Sequence, residues 1–306
     1  MKHTLKSIVI GTAVFAIAGA GRAANLGVAN DFNVFVLGND TQTSTDAEGR
    51  VAVGGAATFA NYGVGNALSN SHGTRDDLIV GGSLAYDSGQ VFNGNIRSGA
   101  AASLTYVGIP NGAYISGNPI DFAAAGVELR NLSHSLAGLT ANGAGGRNAY
   151  GQISLTGADA ALNVFNLHGS DFDGANALSI AAPTASTVVL NIDGNLDQMS
   201  NFGTNLGGVP CENVIYNYTG AGSLTLSSIG IEGSLLAPNM SVNFSTGQIN
   251  GTLVAGTLNG SGEAHYRPFG GNVPNTPNTP SVPEPSTLAM LGVGLLPLLS
   301  LARRKR

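Results

Sequence analysis

Between Asn33 and Ala255 the chain repeats one local theme: a short run rich in Val, Ile, Leu or Phe, closed by glycine or asparagine. Asn33-Val-Phe-Val-Leu-Gly38, Val51-Ala-Val-Gly-Gly55, Asp76-Asp-Leu-Ile-Val-Gly-Gly82 and Gly251-Thr-Leu-Val-Ala-Gly256 are examples. Thr187-Val-Val-Leu-Asn-Ile192, ended by Asp193-Gly194, is the clearest. Such runs are too short for helices and right for strands, and glycine supplies the turns between them. Their spacing of roughly ten residues is the rhythm of a β-sandwich or of a β-solenoid whose rungs turn at glycine. Ser83 to Tyr86 and Gln90 to Ile96 read as separate strands, and Ile229 to Leu236 as one. No strict repeat is visible, so a solenoid would be irregular.

One segment breaks this rhythm. Phe122, Ala125, Leu129, Leu132, Leu136 and Leu139 follow one another at intervals of three and four, which places them on one face of a helix over about residues 120–139. Asp121 is placed to cap its start. Glu128, Arg130, Asn131 and His134 fall on the opposite face. The expected architecture is therefore mainly β, with one long amphipathic helix packed alongside and covering a hydrophobic flank.

Charge narrows the function. Residues 24–281 hold six arginines, no lysine and 17 acids, a net charge of −11. An acidic, lysine-free body is a poor partner for nucleic acid or an anionic membrane. Cys211 is the one cysteine, so the chain has no internal disulfide, and a lone buried thiol rather than a reactive one is the expectation. The body's four histidines, His72, His134, His168 and His265, show no metal-ligand spacing. No Gly-x-Ser-x-Gly or P-loop is present, and no catalytic constellation emerges. Asp171-Phe-Asp-Gly174 resembles part of a Ca²⁺ loop, with Asp171 and Asp173 as candidate ligands, but lacks the distal glutamate of a full loop. Asp76-Asp77 is a weaker candidate of the same kind.

The ends carry address signals. Lys2 and Lys6 precede a short apolar run, Ile8 to Ala18, and small residues follow. That order is a secretory signal peptide over 1–23, cut after Ala23, with Ala18-Gly19-Ala20 as second choice. The body spans 24–271. A Pro/Asn/Thr linker, 272–281, stays extended. Then come Val282-Pro283-Glu284-Pro285-Ser286, an apolar run over 287–302 and the basic end Arg303-Arg304-Lys305-Arg306. The basic cluster would hold the end in the cytoplasm while the apolar run sits transiently in the inner membrane as a transmembrane helix. These 25 residues resemble the PEP-CTERM sorting signal of Gram-negative bacteria, read by an exosortase of the transpeptidase type.

The body also resembles the choice-of-anchor A family of bacterial surface domains. Asn33 to Gly38, Glu48-Gly-Arg-Val-Ala-Val-Gly-Gly55 and Ile120-Asp-Phe-Ala-Ala-Ala125 carry the likeness. So do Asn213-Val-Ile-Tyr-Asn-Tyr218, Glu232-Gly-Ser-Leu-Leu-Ala-Pro238 and Gly251 to Ala255. The resemblance implies an adhesive domain, with a right-handed β-helix. The expectation is thus an exported, non-enzymatic protein of the cell surface or extracellular matrix that meets extracellular polysaccharide or another surface ligand. A polysaccharide-acting enzyme on a β-helix and an ice or mineral-surface binder are the alternatives.

Overall fold

A computed structural model describes residues 26–194 and 198–274. The first nine strands are β1 (Val34–Val36), β2 (Asp40–Ala47), β3 (Val51–Val53), β4 (Ala57–Val64), β5 (Asp76–Val80), β6 (Leu84–Val91), β7 (Asn95–Ser98), β8 (Ala102–Gly108) and β9 (Tyr114–Ser116). The helix α1 (Phe122–Ala137) follows. Then come β10 (Ala144–Arg147), β11 (Gln152–Thr156), β12 (Leu162–His168), β13 (Ala177–Ala181), β14 (Thr187–Asp193) and β15 (Gln198–Asn205). The last are β16 (Val214–Tyr218), β17 (Gly222–Glu232), β18 (Ser234–Asn250), β19 (Leu253–Gly260) and β20 (Glu263–His265).

Most strands pair, in parallel, with the strand two further along the chain. Two ladders result. The first runs β9-β7-β5-β3-β1-β19-β18-β16-β14-β12. The second runs β8-β6-β4-β2-β19-β18-β17-β15-β13-β11, with β20 wedged between β2 and the end of β18. The exception is β10, which pairs antiparallel with β11. A sandwich of two antiparallel sheets, one of the two architectures the strand rhythm allowed, is therefore set aside.

The path is discontinuous. From β1 the chain stacks outward to β9, α1 carries it to the far end, and the second half stacks inward until β19 and β20 close on β1 and β2. Asn33 staples this seam. Its buried amide donates to Gly251 O (2.8 Å) and His265 O (3.0 Å), and its carbonyl accepts from Gly49 N–H (3.0 Å).

Strands of the second ladder bend midway without breaking. Ser44, Asn61, Ser88, Tyr106, Asn201 and Ser228 all hold left-handed φ values between 50° and 58°. The ladder register skips these positions in step, so the bends stack into one corner. The expected strands 83–86 and 90–96 are divided differently: Ser88 turns β6 through a corner, joining 84–86 to 90–91 while pairing continues on both sides, and Asn95 and Ile96 open β7. Ile229 to Leu236, in contrast, splits at Gly233, where φ is 142°.

Alternation then sorts the side chains. Val34, Val51, Phe59, Tyr86, Val188, Tyr216 and Leu226 point into a continuous interior. On the outside of the first ladder, Phe35, Ala52, Ile79, Val189, Ile215, Leu236 and Val254 form a second core under Ala125, Leu129, Leu132 and Leu136 of α1. The helix begins at an Asp121 cap, whose carboxylate accepts from Ala124 N–H (3.0 Å). Its end is held by an asparagine ladder, in which Asn166, Asn191 and Asn217 stand in register. Asn191 donates to Leu136 O (2.7 Å), which also accepts the Leu139 N–H (3.1 Å), and Asn217 donates to Ser133 O (2.9 Å), so the ladder fastens carbonyls of the last helical turns to the strands.

Candidate ligand-binding face

Where the second ladder turns away from α1, its first leg has a buried underside and an open top. The underside holds Phe59, Leu84, Tyr86, Leu224, Leu226, Val242 and Leu258. The top carries one row in strand register: Ser103, Ala85, Thr58, Thr41, Asn259, Asn243, Thr225 and Gln198. Eight strands at about 4.8 Å make a flat strip about 34 Å long. Flanking rows repeat the chemistry, with Thr105, Asp87, Ala60 and Thr43 on one half and Thr257, Ser241 and Ser223 on the other. Asp87 is the one charged group in these rows. Thr257 Oγ1 donates to Ser241 Oγ (2.8 Å) and Asn243 Nδ2 to Ser223 Oγ (3.1 Å), so part of the strip is pre-ordered.

Sequence reading did not place this face. No single strand announces it, because each gives only two small polar residues around one inward-facing residue, apolar on most strands and Gln42 on β2. The recurring signal is Ser103-Leu-Thr105, Thr41-Gln-Thr43, Ser223-Leu-Thr225 and Ser241-Val-Asn243.

Below the strip, Asp40 is buried on β2, and its Oδ1 accepts from Gln42 Nε2 (2.8 Å). Its Oδ2 has no partner among the described residues. Burial pushes this carboxyl up to about pKa 7, against the smaller pull of its hydrogen bonds. Around the corner, Asp46 stands beside Glu263 across the seam, near Glu48 and His265. Burial and then the Glu263 carboxylate raise the Asp46 pKa, and Asn66, donating to Asp46 Oδ2 (2.7 Å), opposes them.

The candidate Ca²⁺ ligands are not assembled into a site. Asp171 Oδ2 accepts the His168 N–H (2.8 Å) and caps a single 3₁₀ turn, Gly169–Phe172, while Asp173 ends that turn in solvent. His168 instead reaches Asp193 (3.0 Å). Among the described residues no group of three or more His, Cys, Asp or Glu could hold a metal ion. Asp76 and Asp77 are paired with Arg97 and Arg75, each at 2.6 Å. The Cys211 thiol is half-buried and pushed up to about 11, chiefly by burial and then by Glu212, which makes it a poor nucleophile. Ala23, Val282, Pro283, Glu284, Pro285 and Arg303, Arg304, Lys305, Arg306 lie outside the described residues. So does the apolar run 287–302; among the described residues no helix is long and apolar enough to cross a membrane.

Residues 25–266 match the family described as "Putative Ice-binding-like adhesive domain". The chain belongs to that family. Residues 281–306 match the PEP-CTERM protein-sorting motif, the signal that directs export to the cell surface and is recognised by exosortase. No curated relative matches the chain. Among solved structures, an ice-binding protein from the Antarctic ascomycete Antarctomyces psychrotrophicus is similar at 18% identity and TM-score 0.34, over 79% of this chain and 98% of that one. An ice-binding protein from an Antarctic biological consortium is similar at 15% identity and TM-score 0.37, over 85% and 94%. A glycosylated ice-binding protein from an Arctic yeast is similar at 13% identity and TM-score 0.35, over 84% and 98%.

Proposed function

We propose that this protein is a non-enzymatic surface adhesion domain whose flat strip binds extracellular polysaccharide. The observation that carries the reading is the register-aligned row from Ser103 to Gln198, hydroxyl and amide side chains with one alanine, Ala85, and no charge across eight strands. Hydroxyl-rich polymers offer donors and acceptors at many repeated points, and a strip of this kind meets them through contacts that are weak singly and strong together. The seam and the parallel ladders support a right-handed β-helix as the frame, the hand that parallel crossovers take in almost every case. In the same reading, a signal peptidase removes residues 1–23. The tail is held transiently in the inner membrane, and exosortase cuts near Pro283.

The mature protein is to be screened against polysaccharides and matrix polymers, with a hydrolase panel in parallel. Binding should fall at least tenfold in Thr41→Trp, which raises a bulky ring at the centre of the strip. Turnover of a polysaccharide that one Asp→Asn change abolishes would replace this reading with an enzyme. Ice is the second reading, favoured by the family's description and by the flatness of the strip. The mixture of Ser, Ala, Thr, Asn and Gln in one row counts against it, since a lattice rewards a uniform array. Thermal hysteresis in the same preparation, lost in Thr41→Trp, would favour ice instead.

A further inference from the structure

The two ends of the stack are finished differently. At the β11/β12 end, β10 lies antiparallel against β11, and Ile153 and Leu155 are buried. Asn142 covers β12: its Oδ1 accepts from Val164 N–H (2.8 Å) and its Nδ2 donates to Leu162 O (2.8 Å). At the β8/β9 end, no described strand pairs with the outer side of either strand. Leu84 N–H donates to Ala101 O (3.0 Å), so alternation aims the N–H and C=O of Ala102 and Leu104 away from β6, into the open. Leu104, Val107 and Ile109, at the margin of the interior, are only half-buried, and Tyr106 is 86% exposed. Stacked-repeat proteins finish such ends with polar caps, because an open edge is a template for another strand.

We propose that a second copy of this chain covers the β8/β9 end, head to head about a two-fold axis. Three observations choose that occupant. Residues 98–120 contain no charged residue, whereas the body as a whole is strongly acidic. Two copies repel through that net charge, and an uncharged end lets them approach. The chain's own tail is too short. It leaves beside β14, where Asn272 N–H donates to Thr187 Oγ1 (2.8 Å), eight strand spacings or about 38 Å from β9. If the chain is cut near Pro283, as proposed above, residues 275–283 reach at most about 32 Å. Finally, the opposite end is finished by a different edge, the antiparallel β10 with Arg147, so like ends pair about the two-fold axis and the contact closes as a dimer. The open ends then point away from the tethered tails, and molecules rooted on facing surfaces can join tip to tip.

The test is sedimentation equilibrium of the mature secreted protein across micromolar to millimolar concentrations. Its intact mass reports the tail cut separately. A monomer–dimer equilibrium is expected, with the amides of Ala102 and Leu104 exchanging more slowly as concentration rises. Thr105→Lys, an exposed change on β8, should weaken the dimer at least tenfold, and so should Ala102→Pro, which removes an outward N–H. Thr43→Lys, on the same face at the centre of the strip, should leave it unchanged. A monomer throughout the range overturns the proposal. So does a dimer that withstands both edge changes, or one that Thr43→Lys disrupts equally.

Discussion

Asp40 shows how one residue's chemistry can govern the stability of the seam. It opens β2 with its side chain buried, paired with Leu258 of β19, and has one carboxyl oxygen unpartnered among the described residues. The folded protein holds this proton to about pH 7, while an unfolded aspartate releases it near pH 4. Between those values the unfolded chain binds fewer protons than the folded one, so stability falls as pH rises and levels off above about pH 7. The gap between the folded and unfolded pKa sets the scale of this loss at up to about 4 kcal/mol. Asp40→Asn keeps the acceptor for Gln42 and removes the titration. The variant should match the parent near pH 4 and exceed it by roughly 1–4 kcal/mol at pH 8. Urea unfolding between pH 4 and 8 checks this, and parallel curves for the two proteins would refute it. The group was not legible in the sequence, because nothing near Asp40 in the chain says that its side of β2 faces inward.

The elements were more legible than their partners. Strand periods and the helical spacing from Phe122 to Leu139 are local properties, and Asp121 announces its cap within three residues. Pairing is not local. Thr41 lies beside Asn259, and Phe35 beside Val254, only because the chain returns to its own beginning. The strip and the seam were therefore invisible to a reading that moves along the chain. The asparagine ladder was hidden for the same reason: Asn191 and Asn217 look like ordinary strand polars until the end of α1 lies over them. Asn191→Ala removes the side-chain donor to Leu136 O, leaving only the Leu139 N–H there, and breaks the link to Asn217. The expected cost is roughly 1–3 kcal/mol, with faster amide exchange confined to the last turn of α1. An equal rise in exchange along the whole helix would show that the ladder does not hold that end.

At the scale of the whole molecule, two stacks meet at one seam between residues more than two hundred positions apart, as in the Asn33 bonds to Gly251 and His265. Each stack has its own local ladder, so its strands can form without the other. The seam contacts close late and make folding slow, since long loops must be ordered first. The helix belongs chiefly to the second stack, over β14, β16 and β18, and reaches the first through Phe122 against Phe35 at 5.4 Å. The seam is thus the weakest junction in a structure whose stability sums over neighbouring rungs. Asn33→Ala removes three hydrogen bonds there and orphans Gly251 O, His265 O and Gly49 N–H, a cost of roughly 2–4 kcal/mol. The parent should unfold in one calorimetric transition and the variant in two, as the stacks part before each melts. A single transition moved to lower temperature would mean that the shared interior, continuous from Val34 to Leu253, couples the stacks more strongly than the seam's hydrogen bonds do.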